Sequence, residues 1–301
     1  MRVFVTGATG FIGSAVVREL IGAGHQVTGL ARSDAGAASL AQSGATVLRG
    51  ELADLDTLRR GADEADGVIH TAFIHDFSNF EASALADKRA IEALTEALAN
   101  SARPLVVAGG MALIAPGRIA TEDDVRDGSI PFPRVSEEMT MAAAERGVRA
   151  SVLRLPPTVH GEGDHGFVPA LIGIAREKGV SAYAGNGETR WAAVHRLDAA
   201  RLFRLALESA PAGTKLHAIA EEGVPMRTIA ETIGRHLNVP VTSTPPEDAP
   251  ARFGWIARFA VLDMAGSSAK TRERFGWEPN NLTLIDDLEQ GHYFATSPSL
   301  A

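Results

Sequence analysis

The first half of the chain alternates short β-branched runs with alanine- and leucine-rich stretches at helical spacing. The runs predict strands over Val3 to Thr6, Gln26 to Leu30, Thr46 to Arg49, Gly67 to Thr71, Pro104 to Ala108 and Ser151 to Leu155. Between them the spacing predicts helices over Gly13 to Ala23, Ala35 to Ser43, Leu55 to Arg60, Phe80 to Asn100 and Ser136 to Arg146. Strands joined by helical crossovers specify an α/β fold with a doubly wound parallel sheet. After Leu155 the texture changes to loops bearing Gly and Pro among shorter helices. A helix is expected over Asp198 to Ser209, a strand over Lys215 to Ile219 and a helix over Met226 to Leu237, while Thr242 to Gly254 reads as an exposed loop. The expected division is a core over residues 1–160 and a smaller α/β region over 161–301, from which about 198–220 returns to the core.

With 301 residues, 45% of them hydrophobic, the chain can bury a core without disulfides or metal. Lys and Arg number 29 against 37 Asp and Glu, a net charge of -8 with the signs mixed along the chain, so nucleic acid and anionic membrane are poor partners. The absence of cysteine removes disulfides, thiolate zinc sites, iron–sulfur clusters and cysteine nucleophiles, and it fits a reducing compartment. Met1 to Val17 has the apolarity of an export signal. Its glycines and the following Arg18-Glu19 pair argue against one, and no apolar run reaches the roughly 20 residues of a membrane helix, so a cytoplasmic location is expected.

Directly after the first strand comes Thr6-Gly7-Ala8-Thr9-Gly10-Phe11-Ile12-Gly13, and a helix follows. In that context the glycines provide a tight turn, bare backbone against a pyrophosphate and close helix–strand packing, and the helix start offers free N–H groups to the phosphates. At the end of the second strand an NAD site places an acid for the ribose hydroxyls. Here the residues are Arg32-Ser33, suited to a 2′-phosphate; NADP(H) is therefore favoured, and Asp34 close by keeps NAD(H) possible.

The chain resembles the extended short-chain dehydrogenase/reductases, the NAD-dependent epimerase/dehydratase family, over nearly its whole length. The Thr6 to Gly13 turn is similar to the family's T-G-x-x-G-x-x-G fingerprint. Glu51-Leu52 resembles its adenine contact, and Val68 to Ala72 its segment beside the nicotinamide ribose. Leu153 to Gly161, Gly185-Asn186-Gly187, Val194 to Asp198 and Arg274 to Pro279 resemble later landmarks. The resemblance implies cofactor contacts from Gly7, Thr9, Gly10, Phe11, Ile12, Gly13, Arg32, Ser33, Glu51, Leu52, Thr71, Ala72, Phe73, Gly109, Pro156 and Thr158, and the two helices at Phe80 and Ser136 suggest a homodimer face.

The departures concern chemistry. The family's Tyr-x-x-x-Lys pair is absent: neither Tyr183 nor Tyr293 precedes a lysine at that spacing, the expected helix begins near Ser136-Glu137-Glu138, and Met111 stands where a Ser or Thr is usual. A proton for hydride transfer then comes from another side chain or from water, or the protein binds the nucleotide without turnover. Histidine suits proton transfer near neutrality. His70 and His75 follow the fourth strand and His160 and His165 the sixth; His160 is the first candidate and His75 the second. Met111, Phe77, His165, Phe167 and Trp191, with Phe73, are expected to form a largely apolar pocket for a small-molecule substrate. His160, Glu162, Asp164 and His165 match no established metal spacing, and no metal is assigned; nor is there a Gly-x-Ser-x-Gly elbow. The leading expectation is an NADP(H)-dependent reductase of a small carbonyl, imine or activated alkene. A silent NADP(H)-binding regulator and a sugar-nucleotide epimerase or dehydratase are the alternatives.

Overall fold

The computed structural model describes residues 1–76, 79–128 and 132–295. Seven strands form one parallel sheet: β1 (Arg2–Thr6), β2 (Gln26–Ala31), β3 (Thr46–Arg49), β4 (Gly67–His70), β5 (Pro104–Gly110), β6 (Arg149–Leu155) and β10 (Thr214–His217). Their order, β3-β2-β1-β4-β5-β6-β10, reverses direction between β1 and β4. A ligand crevice is expected beyond the carboxyl ends at such a point.

Helices cover both faces because the central strands are apolar on both sides. On one face α1 (Phe11–Gly22) and α7 (Arg196–Ser209) bury Val16, Val17 and Leu20 against Leu202 and Phe203. On the other, α3 (Leu55–Asp63), α4 (Phe80–Leu98) and α5 (Ser136–Glu145) pack Leu58, Ile91, Leu94 and Ala143 against Phe4, Val68 and Val107. The remaining crossover helix, α2 (Asp34–Gln42), starts on Ser33, whose hydroxyl accepts from the Gly36 N–H at 3.1 Å. Each element predicted in the first 155 residues is present, with ends displaced by a few residues.

Beyond Leu155 the chain holds more strand than its pattern predicts. β7 (Thr158–His160), β9 (Arg190–His195) and β11 (Glu221–Pro225) make a small mixed sheet, and β8 (Ser181–Ala184) pairs with β12 (Val241–Thr244). Runs this short show no alternation, and Gly and Pro at their ends resemble ordinary loop punctuation. The expected exposed loop at 242–254 is likewise corrected. It contains part of β12, a single 3₁₀ turn and α9 (Ala249–Phe253), with Ala249 and Phe253 buried. Pro250 falls in the first turn of α9, where its missing N–H costs nothing. α6 (Phe167–Lys178), α8 (Met226–Leu237) and α9 enclose this second core together with Trp191, which is fully buried. Among the described residues no helix is long and apolar enough to cross a membrane.

Buried polar groups fasten the last third to the sheet. The Trp277 indole donates to the Asp198 carbonyl at 3.0 Å, while the Asp198 carboxylate accepts from the backbone N–H groups of Asn280 and Asn281, both at 3.1 Å. On β10, His217 is fully buried; its Nδ1–H donates to the Ser267 carbonyl at 2.7 Å and its Nε2 accepts from Arg154 Nη1 at 3.0 Å. Burial, and then the Arg154 guanidinium, push its pKa down to about 4. Above pH 6.5 neither folded nor unfolded His217 binds a proton; below that only the unfolded chain does, so stability is lost as pH falls from about 6.5 to 4. The expected loss is on the order of 3 kcal/mol. Urea unfolding at pH 7 and pH 4.5 measures it, and His217→Asn should make the dependence clearly shallower; an unchanged slope removes His217 as its source.

Candidate active site

The loop between β1 and α1 is shaped by close contact. Gly7 has φ +68°, and a Cβ there would lie 2.6 Å from the Ala72 nitrogen; a Cβ on Gly13 would lie 2.0 Å from the Gly7 oxygen. Only glycine lets the helix start sit this close to the end of β4. α1 opens on Gly10 with no side-chain cap and no acid in its first turn, leaving its positive end and first N–H groups available. Gly7, Thr9, Gly10, Phe11, Ile12 and Gly13 line a cleft of about 1100 Å³. Bare backbone, unpaired donors and a positive helix end fit a dinucleotide pyrophosphate.

Arg32, Glu51 and Leu52 line one end of this cleft. Asp34, the acid that kept NAD in view, is solvent-facing and paired with Arg49 at 2.9 Å. Ser33 lies outside the lining, since its hydroxyl caps α2. Thr71, Ala72, Phe73, Gly109, Met111, Pro156 and Thr158 form the middle, brought together by the ends of β4, β5 and β6.

Next to the cleft lies a closed polar network. Asp87 of α4 is buried; its Oδ1 accepts from His70 Nε2 at 3.2 Å and its Oδ2 from the Ser136 hydroxyl at 2.5 Å. Burial alone would raise its pKa, but the His70 hydrogen bond and the Arg134 charge outweigh that and hold it below the ordinary value. His70 Nδ1 in turn accepts from the Thr6 hydroxyl at 2.7 Å, which takes His70 out of the cleft. Glu137, one residue into α5, lines the cleft and accepts from Arg154 Nε at 2.7 Å; the Arg154 side chain is fully buried.

The histidines divide sharply. His160 is fully buried, off the cleft, with Nδ1 2.9 Å from Asp287 Oδ2 of α12 (Leu284–Glu289). A ring held there cannot reach a substrate in the cleft, so its expected catalytic place is corrected. Trp191 is corrected too: it is wholly core, its indole donating to the Phe259 carbonyl at 3.3 Å. His75, His165 and Phe167 do line the cleft, and Phe77 lies outside the described residues. His75 sits edge-on to Phe73, ring centres 5.1 Å apart. Burial, then the charges of Arg134 and His165, hold its pKa below the ordinary histidine value. Asp164 faces the same space, and burial raises its pKa despite bonds from the Gly166 N–H and the Tyr293 hydroxyl.

Sequence reasoning missed Arg126, Phe132, Arg134, Trp255, Phe259 and Met264, all of which line the cleft. Arg126, Phe132 and Arg134 lie in an irregular segment without periodicity, and Trp255 and Phe259 in short turns beyond the expected loop. The usable signal was apolar spacing across 253–259, where Phe253, Ile256 and Phe259 are buried.

A model of the NAD dependent epimerase/dehydratase family matches residues 3–219. An uncharacterized protein of Schizosaccharomyces pombe is 51% identical over 296 residues, covering 98% of this chain and 100% of the relative. A UDP-glucose 4-epimerase of Streptomyces lividans is 26% identical over 343 aligned positions, 97% of this chain and 96% of that protein. The structure of a dTDP-glucose 4,6-dehydratase from Streptomyces venezuelae, with NAD and TYD bound, superposes with a TM-score of 0.77 at 19% identity, covering 98% of this chain and 97% of that one. With the fingerprint turn, the strand order and the family match in agreement, this chain belongs to the NAD-dependent epimerase/dehydratase family.

Proposed function

We propose that the protein is an NADP(H)-dependent oxidoreductase that reduces a small apolar or aromatic carbonyl compound, imine or activated alkene. The observation that carries this reading is one continuous cleft with Arg32 at one end, Phe73 in the middle and Phe80, Phe132, Phe167 and Phe259 beyond it. When bound, the dinucleotide supplies the hydride. Arg32 meets the 2′-phosphate, since the nearby acid is already satisfied by Arg49. The start of α1 and the Gly7–Gly13 backbone hold the diphosphate, and Thr71, Ala72 and Gly109 flank the redox end. The aromatic wall excludes water around the acceptor.

His75 replaces the absent tyrosine as proton donor at the acceptor atom. Its place on the cleft lining, beside Phe73 and across from His165, supports this role. Because its pKa lies below 6.5, the acid form is a minority at neutral pH, and reduction speeds up as pH falls through that value. Glu137 of the cleft lining is committed to Arg154, and Asp87 and His70 beside it to each other, which disfavours sugar epimerisation through these groups.

Arg32→Ala should weaken NADPH binding about 10- to 100-fold and NADH binding by less than about threefold, read by nucleotide fluorescence titration. Equal weakening of both rejects the 2′-phosphate role. Oxidation of NADPH at 340 nm across carbonyl, imine and enone panels tests the reaction itself; tight binding with no oxidation of NADPH by any acceptor leaves the silent regulator. With a turned-over acceptor, His75→Asn should lower the rate by at least about tenfold and abolish its rise below pH 6.5. A variant with the full rate and the same pH profile removes His75 from the mechanism.

A further inference from the structure

Two guanidinium groups meet the aromatic end of the cleft, and neither has a place in the chemistry above. Arg134 lies 4.0 Å over the ring of Phe73, and Arg126 lies 4.4 Å over that of Phe132; Phe80 bridges the two rings at 5.8 Å from each. Their side chains are only 17% and 13% exposed, yet both residues line the cleft. Stacking and hydrogen bonds fix both planes. Arg134 Nε donates to the Ser136 hydroxyl at 2.9 Å and to Asp87 at 3.4 Å, and its Nη2 to the Ala108 carbonyl at 3.0 Å. Arg126 spends Nε on the Ala112 carbonyl at 3.4 Å and Nη1 on Glu138 at 3.3 Å and the Arg134 carbonyl at 3.4 Å. Each therefore keeps one terminal NH₂ group without a protein acceptor among the described residues: Nη1 on Arg134 and Nη2 on Arg126.

Charge balance explains part of this arrangement. Arg134 answers the buried Asp87, but that carboxylate also serves His70 and Ser136. Among the described residues Arg126 answers Glu138, whose side chain is 54% exposed and needs no buried partner. A neutral ligand packed on these rings would strip water from two unpaired cationic edges, a cost of several hydrogen bonds' worth of solvation. An anionic ligand removes that cost, and the two free NH₂ groups, one on each guanidinium, can each give a charge-assisted hydrogen bond to one carboxylate oxygen.

We propose that the substrate carries a carboxylate on a planar apolar body, and that Arg126 and Arg134 hold that carboxylate while the rings of Phe73, Phe80 and Phe132 hold the body. The word substrate rests on the oxidoreductase reading; the binding preference rests on the two arginines alone.

Phenylpyruvate and phenylacetone share a ring and a ketone and differ in the carboxylate, so calorimetric titration of both, with and without NADP⁺, isolates the anionic contact. Phenylpyruvate should bind at least about tenfold more tightly, a preference of ~1.4 kcal/mol. Arg126→Gln should remove most of that preference while changing phenylacetone and NADP⁺ affinity by less than about twofold. Arg134→Lys keeps a cation for Asp87 but loses the free NH₂ group, and should weaken phenylpyruvate about tenfold; its melting temperature should fall with the lost stacking and hydrogen bonds, and the titration is made below that temperature, on folded protein. Equal binding of the two ketones, binding of neither up to about 10 mM, a preference untouched by both variants, or a loss of NADP⁺ affinity in Arg126→Gln as large as the loss for phenylpyruvate each overturns the proposal. Preferential binding of the oxo acid without NADPH oxidation by any acceptor retains the site and rejects the reductase; rapid reduction of neutral ketones with no carboxylate preference does the reverse.

Discussion

The architecture turns on a backbone contact that tolerates no side chain. With a Gly13 Cβ position 2.0 Å from the Gly7 oxygen, and a Gly7 Cβ position 2.6 Å from Ala72 N, α1, β1 and the end of β4 meet as closely as main chains allow. Hydrogen bonds lock the meeting: the Thr71 hydroxyl donates to the Thr6 carbonyl at 2.8 Å, and the Thr6 hydroxyl to His70. That junction is where the strand order reverses, so the contact that seats α1 on the sheet also opens the crevice and aims a bare helix end into it. A larger residue at either glycine would disturb packing and nucleotide cradle together.

Beside the cleft, ion pairs hold the end of β6 to α5 and the end of β4 to α4. Arg154 has no solvent contact, so its charge requires Glu137, and Glu137 is thereby fixed as a counter-ion with Lys215 as a second, looser partner at 3.9 Å. Separating such a pair leaves a bare charge in a low dielectric, a cost of about 3–5 kcal/mol. The same holds for Asp87 with Arg134 and His70. These groups stiffen the floor of the site. His75 and Asp164 also face the cleft, and environment has moved their pKa values toward each other, histidine downward and carboxyl upward.

How much of this was legible follows from the range of the interactions. Buried parallel strands write themselves as continuous apolar runs, and the glycine turn is a local requirement, so sheet, crevice and most of the nucleotide end could be read residue by residue. His160 shows where such reading stops. Thr158 and His160 lie two apart on β7, both buried, yet only Thr158 reaches the cleft, because His160 is claimed by Asp287, 127 residues later. Arg134 and Arg126 were invisible for a related reason. Their significance comes from Phe73 and Phe132 beneath them and from the already committed Asp87, none of which a local pattern encodes. Trp191 failed in the opposite sense: an aromatic near glycines looked like a pocket wall but packs against Phe167 and Phe259 as core.

The overall charge of -8 and the interior of the cleft say opposite things about ligands, and physical scale reconciles them. Net charge governs approach from a distance, and salt screens it over about 8 Å. Inside the cleft the relevant groups lie far closer than that to a bound molecule: the start of α1, Arg32, Arg126 and Arg134, each positive and each lining the same space. Of the acids nearby, Asp87, Glu137 and Asp34 are committed to a cation and Asp164 is driven toward neutrality by burial, while Glu51 lines the cleft beside Arg32. An acidic protein thus presents a locally cationic groove. Its outer charge disfavours long polyanions, which must lie across the surface, while a small anion that enters the groove meets only the local field. On the proposed reading, that groove takes a dinucleotide with an added phosphate at one end and a carboxylate-bearing molecule at the other.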